Sequence, residues 1–165
     1  MIEYWTKLRE LFDTDDESIP DIFIAGLSGD QVCTIYSWVM SQAAVYDEPT
    51  LWHNGQGKDL PIKSVDHPAD AVVSGDVSQF HHGLTDFRIG SVELLGLTIG
   101  VYPDQISFDY QTGEDWDVPQ VAAFLQFLAG VARLAPAAHI SHRFEGADTS
   151  TPGFTETVRE YIESN

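Results

Sequence analysis

The stretch 96-GLTIGVYPDQISFDYQ-111 decides the fold. Leu97, Ile99 and Val101 alternate with Thr98, Gly100 and Tyr102. After Pro103-Asp104, Ile106, Phe108 and Tyr110 alternate with Ser107, Asp109 and Gln111. Successive side chains of a strand point to opposite faces, so the pattern predicts an antiparallel hairpin with one buried face. The fixed φ of Pro103 suits the second position of a turn and places the reversal at Pro103-Asp104. Val92 to Leu95 extends the first strand, with a bend or bulge at Gly96.

Two helices follow from the segments around it. Ser28-Gly29-Asp30-Gln31 has the form of a capping box, opening a helix over 29–44. Val32, Ile35, Tyr36, Val39, Met40 and Ala43 give that helix an apolar stripe. Asp117 caps a second helix over 118–134, with Pro119 in its first turn. Its stripe is Val121, Phe124, Leu125, Leu128, Val131 and Ala132, and Pro136 prevents its continuation.

Weaker signals fill the remainder. Ile2, Trp5, Leu8, Leu11 and Phe12 predict a helix over 2–12. Asp21 to Leu27 is a strand or an extended entry into the next helix. Residues 46–61, with Pro49, Gly55, Gly57 and Pro61, read as a loop. Ile62 to Val65 reads as a short strand. Asp66 caps a helix running through Val73 and closed by Gly75, and Asp76 to His82 forms another helical turn. His139 to Phe144 reads as a strand at a sheet edge, 145–153 as a loop, and Phe154, Val158, Tyr161 and Ile162 as a final amphipathic helix. The fold expected is α+β: a small, mostly antiparallel sheet around the 96–111 hairpin, packed by helices 29–44 and 118–134. The 165 residues fit a single globular domain, 1–165.

The composition supports a conventional core, since 43% of residues are apolar and 12% aromatic. A lone cysteine, Cys33, excludes an intrachain disulfide. The N-terminal residues carry Glu3, Lys7, Arg9 and Glu10, which is unlike a signal peptide. No stretch approaches the roughly 20 apolar residues of a membrane span. The expectation is therefore a cytoplasmic protein with no membrane contact. The 26 acidic and 8 basic residues leave a formal net charge of −18. Such a surface repels nucleic acid and favours basic partners. It equally keeps a protein soluble or reflects a salty habitat.

Most chemical motifs fail on spacing. Asp13 to Glu17 resembles a calcium loop only in its acids, because Ser18 stands where the turn needs Gly. Gly26-Leu27-Ser28-Gly29 lacks the spacing of a nucleophile elbow. Gly55-Gln56-Gly57-Lys58 is followed by Asp59 where a phosphate loop requires Ser or Thr. The six histidines, His53, His67, His81, His82, His139 and His142, show no ligand spacing. His139 and His142 would point to opposite faces of a strand, and His81 and His82 would diverge. Neither a metal nor a cofactor is expected.

Recognition remains. Gly113-Glu114-Asp115-Trp116-Asp117 sets an aromatic among three acids, and Trp52 lies beside His53 in a polar segment. Aromatics anchor interfaces and charges steer encounter, so Glu114, Asp115, Trp116 and Trp52 are the candidate binding residues for a basic protein. Against this, Trp116 precedes the cap Asp117 and so occupies the position of a hydrophobic staple, which would turn it inward. The functional expectation is a non-enzymatic, intracellular protein-binding domain, such as an immunity-type inhibitor of a basic toxin. The alternative is an enzyme or small-ligand binder whose His/Asp site, with Asp66 or Asp70, is assembled from distant residues. The sequence assigns no oligomeric state.

Overall fold

The computed structural model describes residues 1–14, 18–94, 96–144, 147 and 149–165. The acidic run at Asp15–Glu17, and Glu145, Gly146 and Asp148 of the expected 145–153 loop, lie outside the described residues, as does Leu95. In chain order the helices are α1 (Ile2–Phe12), α2 (Gly29–Met40), α3 (Pro68–Ser74), α4 (Val118–Leu134) and α5 (Pro152–Ser164). The strands are β1 (Asp21–Ala25), β2 (Ala44–Val45), β3 (Thr50–His53), β4 (Lys58–Pro61), β5 (Phe80–Thr85), β6 (Arg88–Ile89), β7 (Val92–Glu93), β8 (Leu97–Val101), β9 (Gln105–Tyr110) and β10 (His139–Arg143). The fold is α+β. Its main sheet has the order β10-β1-β9-β8-β5-β2 with every pairing antiparallel.

The 96–111 hairpin forms as the alternation requires. Leu97 pairs with Tyr110, Ile99 with Phe108 and Val101 with Ile106. Ile99, Val101, Ile106 and Phe108 are all fully buried. Their face continues through Ile22 and Ile24 of β1 and Phe80, His82 and Leu84 of β5. The helices reach the sheet on this face. Phe127 of α4 packs edge-on against Phe108, Tyr36 of α2 against Phe80, Phe12 of α1 on Tyr110, and Phe154 of α5 on His142. Both long helices start as expected. The Ser28 hydroxyl accepts from the Gln31 amide while the Gln31 side chain accepts from the Ser28 amide, and Asp117 accepts from the Gln120 amide.

Several local expectations give way. The segment 76–82 is not a helical turn, because Phe80–Thr85 is the fifth strand of the main sheet. Its alternation, Phe80, His82 and Leu84 inward, is masked in the sequence by two adjacent histidines. Residues 46–61 hold the β3–β4 ribbon, closed through Gly57 with a φ of 60°. Ile62–Ser64 is a single 3-10 turn rather than a strand. His67, not Asp66, precedes α3, in a left-handed conformation and without a side-chain cap. Val92–Glu93 pairs with Arg88–Ile89 instead of prolonging β8. Asp21–Ala25, read as strand or entry segment, is an inner strand between β10 and β9, and β10 is at the sheet edge as expected. Among the described residues no helix is long and apolar enough to cross a membrane.

Candidate functional site

Beyond β9 the chain turns sharply into α4. Gly113 takes a φ of 149°, a conformation open essentially to glycine alone. Its amide donates to the Phe12 carbonyl (2.9 Å), which ties the turn to the end of α1. The Trp116 amide donates to the Gly113 carbonyl (3.2 Å), and the Trp116 indole N–H to the Gln111 carbonyl (2.8 Å). The turn therefore sends Trp116 inward. Trp116 is only 6% exposed and packs against Phe12, Tyr110 and Phe124 at centroid distances of 4.6, 5.2 and 5.6 Å. The staple geometry overrides any role for Trp116 as a projecting anchor: burying so large a ring outweighs exposing it.

Glu114 and Asp115, by contrast, are exposed. Together with Asp13, Thr112, Trp116 and Gln120 they line a cleft of about 490 Å³. Its one aromatic wall is the edge of Trp116, and its lining carries three carboxylates. Among the described residues Asp13 alone of the three has a counter-ion, Arg9 at 2.9 Å, and no Lys or Arg lines the cleft. Such a concavity suits a cationic side chain, whose stem would pass Trp116 with its head among the acids. Trp52 stands apart. It is 46% exposed on β3, opposite Asp59 on β4, and does not line this cleft.

Two of the six histidines lie in the core, each in its own hydrogen-bond set. His82 is buried, with Nε2 bonded to the Tyr36 hydroxyl (3.1 Å) and Nδ1 to the Gly83 carbonyl (2.9 Å). Burial lowers its pKa and pushes that of Tyr36 up to about 12. His142 is fully buried in a chain of polar contacts. The Tyr110 hydroxyl donates to the Leu11 carbonyl (2.9 Å) and so accepts from His142 Nε2 (2.9 Å), leaving Nδ1 to accept from Thr151 (2.8 Å). Burial lowers the His142 pKa to about 4 and keeps the ring neutral. His81 and His139 are exposed, facing away from their buried partners. Among the described residues no three His, Cys, Asp or Glu side chains form a metal-binding group.

A second polar constellation escapes sequence reading. On the sheet face opposite the helices, Asp109 of β9 is the register partner of both Asp21 on β1 and Thr98 on β8. Burial, then hydrogen bonding and repulsion from Asp21, raise the Asp109 pKa to about 8. One pleat away, Ser107 faces Gly100, where a Cβ would lie 2.4 Å from Ser107 Oγ and 2.6 Å from the His81 ring. Only glycine leaves room there for His81, which bonds the Tyr102 hydroxyl at 2.8 Å. The alternation marks Asp109 and Ser107 as outward-facing. Which residues of β1 and β5 meet them depends on strand order, and local sequence carries no record of that.

Compared with protein-family models and with curated proteins, the sequence matches none. Among solved structures the chain is similar to a Pseudomonas aeruginosa T6SS protein, PA0821, at 12% identity with a TM-score of 0.38. That likeness covers 87% of this chain and 46% of the other, so the chain spans less than half the length of that structure.

Proposed function

We propose that this chain is a protein-binding domain that receives a basic segment of a partner protein in the Glu114/Asp115 cleft, as an immunity-type inhibitor would. The observation that carries the reading is the cleft itself: two exposed acids beside Trp116, without counter-ions among the described residues. A net charge of −18 steers a basic partner toward the molecule, and the cleft gives it one place to seat a side chain. Four of the eight basic residues, Lys7, Arg9, Lys63 and Arg88, are already in ion pairs. Trp52, exposed on β3, would form a separate, outlying contact.

The alternative, an enzyme built on dispersed histidines and aspartates, has less support, since His82 and His142 are engaged in structural hydrogen bonds. The test is a titration with a hexa-lysine peptide followed by amide and indole N–H resonances. Saturable shifts at Gly113, Glu114, Asp115 and the Trp116 indole support the reading. Shifts spread evenly over the acidic surface would reject it.

A further inference from the structure

A second cavity, of about 440 Å³, opens between the end of α2, β2, the ends of the β3–β4 ribbon and the start of α3. The cleft reading does not use it. Its walls are largely apolar, with Met40, Val45, Pro49, Pro61, Ile62 and Val65 on the lining. A cavity of roughly 300–1,000 Å³ with apolar walls and a few polar groups is the ordinary form of a small-ligand site. The wall offers few backbone donors. Pro49 and Pro61 have no N–H. The Ile62 amide already donates to the Pro49 carbonyl (3.0 Å) and the Val65 amide to the Ile62 carbonyl (3.1 Å).

The polar side chains on the lining are Tyr36, Asp47, Glu48 and Lys63. Lys63 is committed, because its ammonium pairs with Glu48. Asp47 has no counter-ion among the described residues. Two carboxylates and one ammonium leave the lining one net negative charge, at Asp47. The Gly83 carbonyl can only accept, so His82 Nδ1 carries the proton and Nε2 accepts from the Tyr36 hydroxyl. The Tyr36 oxygen therefore has a lone pair, and no proton, left to offer. We propose that this cavity binds a small organic ammonium ion, with its apolar body against the walls and its primary amine at Asp47. An ammonium group is all donors, and the groups left open on this lining are acceptors. A carboxylate ligand fits worse, since Glu48 already neutralises Lys63.

A net charge of −18 attracts any cation, so charge alone does not identify the site. The apolar walls do. Burying a methylene tightens binding about fourfold, so affinity should climb with the length of the alkyl chain, which a bare acidic surface would not produce. Asp47 has a φ of 64°, in the left-handed region that Asn adopts as readily as Asp. Asp47→Asn therefore removes the charge and leaves the backbone undisturbed. This site stands independently of the Glu114/Asp115 cleft.

The probe is hexylammonium chloride, titrated into the full chain and followed by the methyl resonances of Met40, Val45, Ile62 and Val65. Butylammonium, hexanol and hexanoate are the comparisons. Hexylammonium should saturate the methyl shifts and bind about tenfold or more tighter than butylammonium. It should also bind about threefold or more tighter than hexanol. Asp47→Asn should bring hexylammonium to within about twofold of hexanol, while the affinity for hexanol stays as it was. The double variant Glu114→Lys/Asp115→Lys should keep the parent's order of affinities, and the amides of Gly113, Glu114 and Asp115 should stay still as the cavity fills. The absence of saturable methyl shifts overturns the proposal, as does equal affinity for butylammonium and hexylammonium, which would leave only an acidic surface. So does hexanol matching hexylammonium in the parent, which would mark a purely apolar cavity, or hexanoate matching it, which would make Lys63 the anchor. A preference for the ammonium that survives Asp47→Asn overturns it equally.

Discussion

Asp21 and Asp109 stand opposite each other on neighbouring strands, and Asp109 is held protonated to about pH 8 by burial and by its partner. A carboxyl whose folded pKa exceeds its ordinary 3.8 contributes stability that is full below 3.8 and lost as pH rises through about 8. Asp109→Asn keeps a neutral, hydrogen-bonding side chain and removes that loss. It should stabilise the protein at about pH 9 by roughly 1–3 kcal/mol and change little near pH 4. Denaturant midpoints at the two pH values check this; an Asn variant no more stable than the parent at the higher pH would contradict it.

His142 works in the opposite direction. Its folded pKa, about 4, lies below the ordinary 6.5, so the stability it contributes is present above 6.5 and lost as pH falls through 4. Tyr110→Phe removes the hydroxyl that His142 Nε2 donates to and that the Leu11 carbonyl accepts from. It should cost about 1–3 kcal/mol at neutral pH, the usual penalty for orphaned buried groups. Equilibrium unfolding measures it. An unchanged midpoint would mean that solvent replaces the hydroxyl.

Phe108 is the centre of the hairpin's buried face, edge-on to Phe127 at 4.8 Å. Phe108→Ala should destabilise by about 3–5 kcal/mol, the range for emptying a core aromatic. A loss below about 1 kcal/mol would place the ring near solvent and undo the register.

Gly130 sits inside α4, where alanine would ordinarily help by about 1 kcal/mol. Here an added Cβ would meet the Trp38 ring at 2.6 and 2.8 Å, and that ring is stacked parallel on Phe127 at 5.7 Å. Overpacking costs about 1–3 kcal/mol, so Gly130→Ala should lower the melting temperature. A rise would show that Trp38 swings aside freely.

How much of this was legible in the residues follows from the range over which each signal acts. The hairpin, the Ser28 and Asp117 caps and the stripes of α2 and α4 rest on neighbours within four residues, and the structure has them, except that α2 ends at Met40 instead of 44, leaving Ala43 outside it and Ala44–Val45 in strand β2. Strand β5 was hidden because its inward positions include His82, a polar residue whose Nε2 is satisfied in the core by the Tyr36 hydroxyl, 46 residues away. The inward turn of Trp116 was legible from its place before the cap. The cleft around Glu114 and Asp115 was not, because its other wall, Asp13, comes from α1's end through the Gly113–Phe12 hydrogen bond. The Asp21–Asp109 pairing likewise requires the order of the strands, which is set by long-range packing.

A basic partner that seats at Glu114 and Asp115 leaves its signature in the association kinetics. A basic protein captured by the chain from its host would be measured at two salt concentrations, against the parent and Glu114→Lys/Asp115→Lys. The Debye length falls from about 8 Å at 0.15 M salt to about 3 Å at 1 M. The association rate should fall steeply with salt, the double variant should bind at least about tenfold more weakly, and its folding stability should stay within about 0.5 kcal/mol of the parent. Binding indifferent to both salt and the double variant would contradict it.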